Sequence, residues 1–254
     1  MKPILFNTEM VRAILNGRKT VTRRIVKPQP GEELAYIWGG SNHGKWGFSP
    51  DNKSRYEEHR AANDWKYWAP PCHADDILYV RETFRIDYLS NIIGTGRVHY
   101  KADGSFADIR FAPNRYDMMR RAQLKPGWRP NENMPREAAR IFLRVTDVRV
   151  ERLQTSFFEP ICPIFAVQAE GIDIGDTCRE CIENYGEPCC VDTVDEDGSD
   201  LYGGECGELD QSRGEFSDLW DSTIKPADRE RYGWAANPWV WVIEFERCEK
   251  PEVA

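Results

Sequence analysis

Between a short apolar segment and a β-branched one the chain reads Gly17-Arg18-Lys19-Thr20-Val21-Thr22-Arg23-Arg24, which sets a hydroxyl three residues after an amine among three further cations. Like charge from Arg18, Arg23 and Arg24 destabilises the ammonium form of Lys19, so the amine can serve as a base towards the Thr22 hydroxyl. On an ideal strand residues three apart point to opposite faces, so Lys19 and Thr22 act together only across a turn or bulge, which Gly17 favours. Arg23 and Arg24 alternate in the same way, and only one of them faces a given cleft. The bland alternative is that Thr20 and Thr22 are ordinary strand residues and the cations are solvated.

Two further groups carry chemical potential. Along Asp76-Ile77-Leu78-Tyr79-Val80-Arg81-Glu82-Thr83-Phe84, alternation puts Glu82 on the face of Leu78, Val80 and Phe84, so its carboxylate is either buried with a partner or directed into a cleft. Cys178-Arg179-Glu180-Cys181, then Cys189-Cys190 and Cys206, offer thiolates for a tetrahedral structural zinc through Cys178, Cys181, Cys189 and Cys206; free thiols are the alternative. A closed thiolate site leaves no position for substrate, so no cofactor for catalysis is expected.

The elements that position these groups follow from pattern. Thr8 is placed as N-cap of a helix with Met10, Val11, Ile14 and Leu15 on one stripe, and Gly17 supplies its left-handed exit. Thr20 to Val26 reads as a strand stopped by Pro28 and Pro30. A Gly- and Trp-rich stretch from about 31 to 71 reads as a long surface loop. Strands are expected over Asp76–Phe84, Gly96–Lys101, Ala139–Val150 and Trp239–Phe245, with a polar loop through Trp128 and Arg136. A helix is expected near Glu159 to Glu170, ending at Gly171, and another opened by a capping box at Ser212-Arg213-Gly214-Glu215.

With 254 residues, 41% hydrophobic and 30% charged, the chain reads as one α+β domain spanning 1–254, with insertions at about 31–71 and 173–211. The N-terminus turns polar too early for a signal peptide and no segment is long enough to span a bilayer. A cytoplasmic protein with no membrane partner is expected, its 8 cysteines in a reducing compartment. A net charge of -8 argues against indiscriminate coating of nucleic acid. It conceals a basic first stretch and an acidic one, Asp173 to Asp218, opposed only by Arg179 and Arg213, which offers a surface to a protein partner.

The run Gly17-x-Lys19-x-x-Thr22-x-Arg24, with the strand at Asp76–Val80, the long strand before a helix and the aromatic last strand, resembles the ASCH domain signature. That resemblance implies a PUA-like small β-barrel with flanking helices and long insertions, in the expanded form found in phage and prophage proteins. The enzymes it resembles are small bacterial amidohydrolases that remove the acyl group from N(4)-acetylcytidine with a Lys, a Thr three residues later and a Glu on a later helix. Lys19 and Thr22 match the first two, and the third falls on Glu170. An amide carbonyl is a poor electrophile, so its hydrolysis needs an activated oxygen nucleophile, a stabilised oxyanion and a proton for the leaving amine. The resemblance implies a modified nucleoside or RNA as partner, with Arg18, Arg23, Arg24, Glu82, Trp128 and Arg136 as candidates to bind it. Glu82 alternatively serves as a structural partner for an arginine, and Trp128 alternatively plugs the barrel. A non-catalytic RNA or modified-base binding module is the competing reading.

Overall fold

The computed structural model describes residues 1–30, 35–36, 46–49, 66–90, 94–123, 127–155, 163–172 and 207–251. Its elements in chain order are β1 (Lys2–Leu5), α1 (Thr8–Leu15), β2 (Val21–Ile25), β3 (Ala35–Tyr36), β4 (Trp46–Ser49), β5 (Lys66–Trp68), β6 (Ile77–Arg81), β7 (Phe84–Ser90), β8 (Thr95–Tyr100) and β9 (Phe106–Arg110). Then follow α2 (Pro113–Gln123), β10 (Phe142–Arg152), α3 (Pro163–Ala169), α4 (Gly207–Thr223), α5 (Arg229–Tyr232) and β11 (Trp239–Cys248). Helices and strands are thus mixed, as expected. Among the described residues the strands form open sheets without a closed barrel, and no helix is long and apolar enough to cross a membrane.

The chain divides into two compact units, one made of Met1–Thr20, Ala74–Thr146 and Phe245–Ala254, the other of Val21–His73 and Asp147–Glu244. In the first, β1 pairs parallel with β6 and β6 antiparallel with β10. Helix α1 buries Val11, Ala13 and Ile14, and each large aliphatic side chain so removed from water contributes about 1.5–3 kcal/mol. Its N-cap is Asn7 and not Thr8: the Asn7 side chain accepts from the Met10 N–H at 2.8 Å, one residue earlier than the sequence suggests, because Thr8 is already helical. At the other end Gly17 adopts φ +75°, its N–H bonding Ile14 O while the Arg18 N–H bonds Ala13 O. This paired closure needs a residue tolerant of the left-handed region.

The strand expected over Asp76–Phe84 is two strands. Glu82 and Thr83 leave the ladder because their backbone is engaged elsewhere: the Glu82 N–H points to Met134 Sδ and Thr83 O accepts from the Lys101 N–H. Strand β7 opens an antiparallel sheet in the order β7-β8-β9, one face of which is covered by a cluster of Phe84, Val98, Tyr100, Phe111, Met119, Met134 and Ala138. Helix α2 lies where a polar loop was expected, and it is held to that cluster by Met119 and Tyr116.

In the second unit β2 pairs antiparallel with β11, Thr22 opposite Ile243 and Arg23 opposite Val242. Leu153, Val167, Phe216, Trp220, Tyr232, Val240 and Val242 form its core, with Val21 and Ile25 packed against it. The stretch expected as one long loop contains a small sheet in the order β3-β4-β5. Helix α4 begins at Gly207, so Ser212 falls inside the helix and the expected capping box is not its start. The Cys-rich acidic insertion, with Cys178, Cys181, Cys189 and Cys206, lies outside the described residues.

Candidate functional site

Burying a polar group costs free energy unless the protein replaces its lost hydration, so the few such groups in an interior are informative. Among the described residues the buried polar or charged side chains are Lys19, Thr22, Arg23, Glu82 and Glu170. All five are residues that pattern and resemblance single out.

In the first unit the Lys19 side chain is 2% exposed, with Nζ 5.8 Å from the Phe6 ring centre. The closure of α1 delivers it there, since the Lys19 N–H shares Ala13 O with that of Arg18. Phe6 lies against Phe245 at 6.1 Å between ring centres, so the amine sits over an aromatic floor. Arg18 is half-buried.

In the second unit alternation along β2 sorts the remaining motif residues. Val21, Arg23 and Ile25 share the face that packs on the core, where the Arg23 guanidinium lies 5.9 Å from the Phe216 ring and its Nη1 donates to Glu170 Oε1 at 2.5 Å. Thr22 and Arg24 therefore project from the opposite face. Glu170 follows the last turn of α3, where its N–H bonds Val167 O and Gly171 takes φ +89°. Burial pulls the Arg24 guanidinium below its ordinary value, and the nearby charges of Glu170 and of the Cys72 thiol oppose that shift. Glu170 is therefore an electrostatic partner to both arginines of the motif.

Glu82 has taken a partner. Arg140 Nε and Nη2 donate to its two carboxylate oxygens at 2.8 and 2.9 Å. Arg140 Nη1 donates to Asp103 Oδ2 and Ser105 Oγ, both at 2.7 Å, and the guanidinium stacks 4.1 Å from the Tyr100 ring centre. Burial pushes the Glu82 carboxyl up, and the Arg140 bonds and charge pull against it. Burial also pushes the Tyr100 phenol up to about 12. Burial would raise Asp103 too, but the bonds from Arg140 and from the Ser105 N–H and hydroxyl prevail and hold it down at about 2. With both Glu82 oxygens engaged by Arg140, the carboxylate is a framework group.

Trp128 is 43% exposed, with the Arg85 guanidinium 5.4 Å from its ring, and Arg136 is exposed on a single 3-10 turn. Neither joins the buried set. The turn at Asp103-Gly104 is legible in the sequence as the end of the strand over Gly96–Lys101, whereas Arg140 as the cation that ties this turn to Glu82 was missed. Among the described residues no cluster of His, Cys, Asp or Glu could hold a metal ion, and Cys72 and Cys248 form no disulfide. The chain matches no protein-family model, no curated protein and no solved structure.

Proposed function

We propose that the chain is an amidohydrolase acting on N(4)-acylated cytidine or a related modified nucleoside, built on a PUA-like framework of the ASCH type. One observation carries this reading: of the five polar side chains buried among the described residues, three are Lys19, Thr22 and Glu170. In this reading Lys19, kept from water where a neutral amine is favoured, takes the proton of the Thr22 hydroxyl. The Thr22 oxygen attacks the acyl carbon, the C–N bond breaks, and the proton returns from Lys19 to the leaving 4-amino group. Water then hydrolyses the threonine ester, releasing the carboxylic acid. Glu170 orients the base or relays the proton.

The reading is tested by incubating the protein with N(4)-acetylcytidine and following cytidine by chromatography. Thr22→Ala should abolish turnover and leave nucleoside affinity by calorimetry nearly unchanged, because the lost interaction belongs to the transition state. Lys19→Ala should lower the rate comparably, with no additive loss in the double variant, since residues acting as one unit fail together. The ion pair that commits Glu170 to Arg23 favours a second reading, a module that binds RNA or a modified base without chemistry. Clear affinity with no wild-type turnover would establish that second reading and reject the first.

A further inference from the structure

The sheet β7-β8-β9 has a second face that no core cluster covers among the described residues. A row of flat side chains crosses it: Arg85 is in register with His99, and His99 with Phe106, while the Trp128 ring flanks Arg85 at 5.4 Å. The His99 and Phe106 rings are 5.5 Å apart. One step along the strands Tyr88 faces Arg97 and Arg97 faces Asp108, with the Arg97 guanidinium 4.4 Å from the Phe106 ring. Tyr88, Phe106 and Trp128 are 58%, 55% and 43% exposed, and they make up half of the large hydrophobic side chains exposed among the described residues.

From these observations we infer that this face is a docking surface for single-stranded nucleic acid. Neighbouring strands lie about 4.8 Å apart, so side chains in register across the row are spaced closely enough for unstacked bases to lie along it, and the exposed Arg85 and Arg110 offer their guanidiniums to phosphates. Charge favours a polyanion here. The unit of Met1–Thr20, Ala74–Thr146 and Phe245–Ala254 contains 19 Lys and Arg against 13 Asp and Glu, net +6, whereas the remainder of the chain is net −14. Two acids on the face are tied to its own residues, Asp108 to Arg97 at 2.9 Å and Asp87 to His99 at 3.3 Å. A protein partner is disfavoured because its docking would desolvate Arg85, Arg97 and Arg110 along with the rings. A duplex hides the base faces the row would stack on. The inference does not depend on hydrolysis of an acylated base.

Fluorescence anisotropy on the full chain tests it, with labelled oligouridine and oligothymidine of about 12 nucleotides, a length within the range one such platform covers, and a duplex of the same length. The single strands should bind, RNA and DNA being compared directly, with affinity falling as salt rises and with the duplex weaker. Phe106→Ala and Trp128→Ala should each weaken binding by about 5- to 100-fold, the scale of one base–aromatic stack, with unchanged circular dichroism because both rings are exposed. Phe106→Ala should release cytidine from N(4)-acetylcytidine as wild type does while losing strand affinity, which separates this surface from the hydrolase reading. The inference is overturned if neither strand binds at about 50 mM salt, a condition under which even non-specific binders register. It is equally overturned if a Tyr88, Phe106 and Trp128 triple alanine variant retains full affinity, or if ultracentrifugation shows a dimer that Phe106→Ala dissociates.

Discussion

Arg140 holds two carboxylates whose ionisation is biased in opposite directions. Glu82 is raised from its ordinary 4.5 by burial, so its folded form binds protons more tightly than the unfolded chain, and its contribution weakens as pH rises through that interval. Asp103 is lowered from 3.8 to about 2 by its bonds, so its contribution is complete above 3.8 and is lost as pH falls towards 2. Asp103→Asn should therefore flatten the fall of stability between those two values, as read from urea midpoints across pH; an unchanged slope would show that the bond to Arg140 does not persist in solution. Removing the shared cation should be costlier. Arg140→Ala strands a carboxylate that is 1% exposed, and the expected loss at neutral pH is about 3–5 kcal/mol. That deficit should shrink on acidification as Glu82 takes up a proton, a signature that loss of packing alone would not produce. At this scale the sequence was informative in kind: alternation placed Glu82 on an apolar face, but which arginine would reach it from a distance of 58 residues depends on the fold.

Elements were legible where one periodicity dominated and obscure where tertiary contacts compensated for weak local signals. Helix α1, β8, β10 and β11 follow from apolar stripes and β-branched runs. In α2, Pro113-Asn114-Arg115-Tyr116-Asp117-Met118-Met119-Arg120-Arg121-Ala122-Gln123, Tyr116 and Met119 are the side chains that reach the core, which is too sparse a stripe to distinguish a helix from a polar loop. The interruption between β6 and β7 was similarly hidden, because it arises from Met134 and Lys101 rather than from any local breaker. The antiparallel sheet also depends on a close approach that only glycine permits. A Cβ on Gly96 would lie 2.4 Å from Leu89 Cδ2, 2.9 Å from Tyr88 O and 3.1 Å from a Phe111 ring carbon. The leucine can rotate but the carbonyl belongs to the ladder, so Gly96→Ala must push β7 and β8 apart. A loss of about 1–3 kcal/mol is expected from thermal denaturation, as for other overpacked sites, and a neutral outcome would show that the β7 bulge between Ile86 and Tyr88 absorbs the strain.

Across the whole molecule, cysteines and charge are distributed unevenly. Cys72 and Cys248 lie in different units and form no disulfide, and burial pushes the Cys248 thiol up, which disfavours the thiolate that a metal requires. Five of the 8 cysteines instead fall between Cys178 and Cys206, in a stretch with little apolar sequence to build a core. A segment of that composition gains order most readily from a metal, because four thiolates around one ion replace the burial it cannot supply. We therefore expect about one zinc per chain, bound by Cys178, Cys181, Cys189 and Cys206, in protein purified without added metal. Elemental analysis should find it, chelation should remove it and lower the melting temperature, and Cys178→Ser with Cys181→Ser should abolish it. Cys72→Ser with Cys248→Ser should leave the metal content unchanged, which separates a dedicated site from adventitious thiol binding. Because a closed thiolate site offers no position to substrate, the zinc-free protein that remains folded should retain the proposed cytidine-releasing activity; loss of turnover without unfolding would reject the purely structural role, and metal-free wild type would reject the site.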